Sequence, residues 1–162
     1  MLAVVLALTA PSKNQIDVDR EMFNYDPAAI DRVQLESAGG QTNMLAFVNG
    51  LWMVNDDYKA DPQRVSVLFA ILDQAKVRRK APSADTDRLT TGFEEKGVIA
   101  TFYEGNEPVK EFEVFGDADR GITYYRKSND ENIYLIEIPG YRNYLAGLYE
   151  LDENAWRLSL IH

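Results

Sequence analysis

The stretch RVQLESAGGQTNMLAFVNGLWMV, Arg32 to Val54, decides the fold class. Val33 and Leu35 alternate with Arg32, Gln34 and Glu36, the period-two pattern of a half-buried strand. Ala38-Gly39-Gly40 turns the chain into TNMLAFV, and Asn49-Gly50 turns it again into LWMV. Asn-Gly suits a two-residue type I′ hairpin, because both central residues there take positive φ. A three-stranded antiparallel meander is predicted.

Outward from the meander, the next element is a helix. Asp61 is a good N-cap, and Pro62 stands at the first helical position, where no amide is needed. Val65, Leu68, Phe69 and Leu72 then recur at helical spacing as a buried stripe. The basic run KVRRK, Lys76 to Lys80, reads as a solvated edge strand protected by charge. Ser83 or Asp85 is expected to cap a second helix carrying Leu89 and Phe93, stopped by Gly97. Gly92 inside it is a poor helix former.

Four strands follow: VIATFYE, VKEFEVF, ITYYRK and IYLIEI, joined by short polar turns that imply antiparallel pairing. Near the C-terminus, Tyr141, Tyr144, Leu145, Leu148 and Tyr149 fall in one arc of a helical wheel. A core-closing third helix over residues 141–149 is therefore predicted, in preference to an aromatic binding platform. The fold class is α+β: an antiparallel sheet built from a three-stranded and a four-stranded meander, with about three helices packed on it. Residues 30–162 are expected to form this single domain, with residues 13–29 as a linker.

Composition bounds the function. At 162 residues, with 46% hydrophobic and 27% charged residues, the chain suits one globular domain. Its net charge of -9 repels phosphate backbones, which disfavours nucleic acid as a partner. No cysteine is present, and His162 is the only histidine, so cysteine nucleophiles, thiolate metal sites and multi-histidine sites have nothing to be built from. At the N-terminus, LAVVLALTA, Leu2 to Ala10, is an apolar run too short to span a bilayer. Residues 1–12 are expected to be the tail of a truncated membrane anchor or signal, the alternative being a buried strand. The membrane contact expected on this reading runs through that segment only.

Candidate sites are few. Asp117 and Asp119 with Gly121 hint at a calcium loop, but the glycine is one position early and Ser128 stands where a bidentate glutamate is needed. A polar hairpin loop is favoured. Asp56 and Asp57 lie in a connecting loop, and Glu94-Glu95 in an exposed helix end. Nothing singles out a carboxylate pair for acid–base work, and no phosphate loop, dinucleotide fingerprint or nucleophile elbow is present. No catalytic residue, metal ligand or cofactor is predicted. Trp52, Tyr124 and Tyr125 are the candidate ligand or partner contacts.

Spaced motifs carry a family resemblance over roughly residues 30–162. They are W-M-V-N at Trp52, K-A-D at Lys59 before an apolar helix, and G-V at Gly97. E-V-F-G ending at Gly116, G-I-T-Y-Y at Gly121, I-Y-L-I-E-I-P-G-Y ending at Tyr141 and A-W-R ending at Arg157 continue the series. The chain resembles a bacterial domain-of-unknown-function family (DUF family four-three-four-zero). It departs from the pattern at Leu158, where an acidic residue is common. The resemblance implies an envelope protein with an N-terminal anchor and a domain outside the cytoplasmic membrane. It also implies an accessory role near ABC-transporter-like complexes, with no catalytic residues to carry over. Two functions are thus expected alternatives. One is a non-catalytic, membrane-tethered domain that binds another envelope protein. The other is a small-molecule or glycan-binding module, or a weak carboxylate-dependent hydrolase, with Trp52, Tyr124 and Tyr125 lining a cleft.

Overall fold

A computed structural model describes Phe23 and residues 25–128, 130–141, 144–149 and 151–159. The apolar run Leu2 to Ala10 lies outside the described residues. Nine strands form one sheet: β1 (Arg32–Ser37), β2 (Thr42–Val48), β3 (Leu51–Val54), β4 (Tyr58–Lys59), β5 (Lys76–Lys80), β6 (Val98–Glu104), β7 (Glu107–Asp117), β8 (Ile122–Arg126) and β9 (Tyr134–Glu137). Their order across the sheet is β4-β3-β2-β1-β6-β7-β8-β9-β5, and every pairing is antiparallel.

The α+β class and the antiparallel sheet hold, but the predicted division into a three-stranded and a four-stranded meander does not. The runs β1–β3 and β6–β9 are fused through β1 and β6, which pair from Arg32↔Tyr103 to Ser37↔Val98. The expected edge strand KVRRK is β5, docked on β9 at the sheet's end with only Val77 buried. The Asn49-Gly50 turn has φ of 51° and 81°, the positive pair a type I′ hairpin requires.

Among the described residues three helices pack on this sheet: α1 (Pro62–Gln74), α2 (Thr86–Lys96) and α3 (Glu153–Trp156). Asp61 caps α1, its side chain accepting from the Gln63 amide at 2.9 Å. Neither Ser83 nor Asp85 caps α2 through its side chain; a 3₁₀ turn over Ser83–Asp85 feeds the chain into the helix instead. Gly97 ends α2 in an extended conformation, its amide donating to Phe93 O.

Among the described residues of 141–149 the predicted α-helix does not form. Tyr141 makes an isolated bridge to Ile138 across a tight turn, and only Leu145–Leu148 coil, as a 3₁₀ turn. The stretch closes the core all the same, because Leu145 and Tyr149 are buried. Tyr144 lies across Gly116 of β7, where any Cβ would collide with its ring. That close approach fixes the turn against the strand.

The sheet's two faces differ. Strand side chains alternate, so Val33, Leu35, Leu45, Phe102, Phe112 and Tyr125 share an inner face. There they meet Val65, Leu68, Ile71 and Leu72 of α1, with Trp156 of α3. Phe23 is fully buried in the same core, and Tyr25 packs against it, so part of the expected linker joins the packing. On the outer face α2 covers one end only, where Leu89 and Phe93 pack with Tyr124, Ile133 and Leu135.

Candidate docking surface

The remainder of the outer face is carried by β3, β2, β1, β6 and β7. Strand register sets its side chains in three rows. One is Thr42, Glu36, Ile99, Glu113 and Arg126. The next is Met44, Gln34, Thr101 and Glu111. The third is Met53, Ala46, Arg32 and Tyr103. The alternation that puts Val33 and Leu35 inside dictates this set, because their neighbours must point outward.

One ion pair and several hydrogen bonds to neutral groups hold charges on this surface. Arg126 binds Glu113, both side chains being about one-seventh exposed at 15% and 14%, and its guanidinium lies 4.5 Å over the Phe93 ring. Glu111 accepts from Ser128 at 2.7 Å and from Thr101 at 3.2 Å. Arg32 lies 4.6 Å over the Tyr103 ring and donates to Gly105 O at 2.8 Å. Between these pairs stand Met44, Ala46, Met53 and Ile99, each half-buried. Ile99 borders α2, lining a hollow with Phe93 and Glu94.

The three aromatic candidates do not line one cleft. Tyr124 and Tyr125 are consecutive on β8 and therefore point to opposite faces. Tyr125 is fully buried inside and shares a hydrogen bond with the Tyr149 hydroxyl. Burial raises the Tyr125 hydroxyl pKa well above its ordinary value, and it also raises that of Tyr149. Tyr124 is buried under α2, stacked on Phe115 at 6.2 Å. Trp52 is half-buried on the inner side, between Phe47 at 5.5 Å and Phe69 at 5.2 Å.

A polar clamp holds the C-terminal segment to the β2–β3 hairpin. Buried Asn43 donates to Leu151 O at 2.8 Å and accepts from Asn55 at 3.0 Å. Asn55 also donates to Glu153 at 2.7 Å and accepts from the Met44 amide at 2.8 Å. Glu153 pairs with Arg157, whose guanidinium sits 3.3 Å over the Tyr58 ring. The Asn55 amide, and then Arg157, hold the Glu153 carboxyl below the usual carboxylate range. The clamp links chain segments through mutually satisfied partners and presents no converging reactive groups.

The acidic loop behaves as a hairpin. Asp117 accepts from the Arg120 amide at 3.2 Å and faces Arg88 and Arg120 at 3.5 and 3.7 Å. Among the described residues no group of three or more histidine or acidic side chains is arranged to hold a metal ion. Asp56, Asp57, Glu94 and Glu95 are exposed. Hollows in the described surface hold about 130 Å³ beside Thr123 and Tyr141, about 150 Å³ beside Phe93 and Arg126, and about 250 Å³ beside Arg32 and Phe47. Small-molecule sites usually hold about 300–1,000 Å³.

No family model, curated protein or solved structure matches the chain. No helix among the described residues is long and apolar enough to cross a membrane.

Proposed function

We propose that the protein is a non-catalytic, membrane-tethered domain of the bacterial envelope that docks another envelope protein from outside the cytoplasmic membrane. Its role on this reading is that of an accessory component of an ABC-transporter-like complex, as the resemblance to the domain-of-unknown-function family implies. The observation that carries the docking role is the open half of the sheet's outer face. It spans five strands and sets the half-buried Met44, Met53 and Ile99 beside the Arg126–Glu113 ion pair. A partner that covers this face would meet the charges of Arg32, Glu36 and Glu111 and is expected to present groups that pair with them. The alternative, a ligand-binding or hydrolytic cleft, gains no support from hollows of about 130–250 Å³ without converging carboxylates.

The test is a pair of substitutions on the open face, Met53→Lys and Ile99→Lys, made in the full chain in its host. Both positions are half-buried in the free protein, so a modest loss of thermal stability is expected, and binding is compared in variants that remain folded. Co-purification of the partner from detergent-solubilised envelopes is expected to fall with both. Retained co-purification with both lysines in place would place the docking surface elsewhere.

A further inference from the structure

The tip of the β2–β3 hairpin differs from the rest of the surface. Phe47, Val48 and Leu51 are 49%, 45% and 49% exposed, and they flank a single turn. No charged residue occurs in the sequence between Glu36 and Asp56. In a chain with 27% charged residues that is a long uncharged segment; Asn43, Leu45 and Val54 within it are buried, and Phe47, Val48 and Leu51 at its tip are half-exposed. Trp52 stands immediately behind the tip, braced by Phe47 and Phe69.

We infer that this hairpin is a wedge that enters the surface of a neutral lipid bilayer. Three measures favour lipid over protein as the occupant. The first is area: three half-exposed side chains present on the order of 300 Å², whereas a stable protein dimer needs about 800 Å² from each partner. The second is depth. The charged residue nearest the tip on the neighbouring strand is Asp31, whose carbonyl accepts from the Phe47 amide at 2.8 Å. From Phe47 to the turn is about 7 Å at the rise of a strand, within the ~5–10 Å that interfacial elements penetrate. The third is charge. A net -9 is repelled by anionic headgroups, and an uncharged tip enters a zwitterionic surface with no charge to desolvate. Trp52 then lies at headgroup level, where tryptophan is enriched. The tip continues the proposed docking face, since Val48 and Leu51 pair two residues beyond Ala46 and Met53 on the same side of the sheet; lipid binding at the tip nevertheless needs no protein partner.

The test reads Trp52 directly, because the other tryptophan, Trp156, is fully buried and shielded. The full chain is mixed with phosphatidylcholine vesicles whose acyl chains carry bromine, a contact quencher. Trp52 emission is expected to be quenched, unaffected by added salt, and absent in Trp52→Phe. The double variant Phe47→Asp/Leu51→Asp is expected to lower the partitioning read from quenching by at least about tenfold. Val48→Asp, at the turn itself, serves as a second variant should the double one fail to fold. Vesicle-bound protein with unquenched Trp52 would overturn the inference. So would a dimer that dissociates in the aspartate variants while the parent shows no quenching, since the tip would then be a contact between copies.

Discussion

Tyr125 and Tyr149 are buried as a pair, and their stability effects are expected to be coupled. Tyr149→Phe leaves the Tyr125 hydroxyl buried without its partner, an expected cost of about 1–3 kcal/mol. Replacing both with phenylalanine keeps the shape and removes both polar groups, so the double variant is expected to cost less than the two singles added. A double-mutant cycle by denaturant titration measures that coupling. The pair also sets an alkaline limit. Both folded hydroxyls have pKa values raised above the ordinary 10.0 by burial. Their contribution is therefore fully present below pH 10 and is lost as pH rises above it. Unfolding midpoints between pH 9 and 11.5 are expected to fall less steeply in the double phenylalanine variant. Tyr149's burial was legible in the sequence from its spacing with Leu145. The division of Tyr124 and Tyr125 between two faces was equally legible, since consecutive strand residues cannot share one, and grouping them as a single contact ignored that rule.

Among the elements, α2 explains its own weak point. Gly92 sits where an added Cβ would meet the Phe115 ring, itself packed on Phe93 and Tyr124. Gly92→Ala gains about 1 kcal/mol of helix propensity but loses more to overpacking, so a net destabilisation of about 1–2 kcal/mol is expected. Thermal unfolding reads the sign. For the clamp, Asn55→Ala removes partners from Asn43 and Glu153 at a residue of positive φ, 49°. A cost of about 2 kcal/mol or more is expected by denaturant titration. Glu153 supplies the acid side: its folded pKa is depressed, so its contribution is present above the ordinary glutamate value and is lost as pH falls through the folded one. Glu153→Gln is expected to flatten the decline in stability below pH 4.5. The turn and cap chemistry of α1 and the Asn49-Gly50 hairpin was local and could be read from the chain. The helix over residues 141–149 was not, because its apolar spacing answers to contacts with β7 and β8. Tyr144 on Gly116, and the Ala146 amide donating to Thr123 Oγ1 at 3.0 Å, satisfy that spacing without helical backbone.

At the scale of the whole molecule, hairpin neighbours follow from short turns, but the joins that make one sheet do not. Pairing of β1 with β6 and of β5 with β9 links strands far apart in sequence, and no turn encodes it. The same gap hid the rows of the face proposed for docking. Glu36, Ile99 and Glu113 become one row only when β1, β6 and β7 lie side by side. The most direct measurement of the docking role is site-specific photo-crosslinking in the host cell. A photoreactive residue is placed at Ile99 on the open face, and at Asp87 on the exposed side of α2 as control. The expected result is one discrete envelope-protein adduct from position 99, lost when Met53→Lys is added, and none from position 87. Equal labelling from the two positions, or an adduct from position 87 alone, would contradict the account.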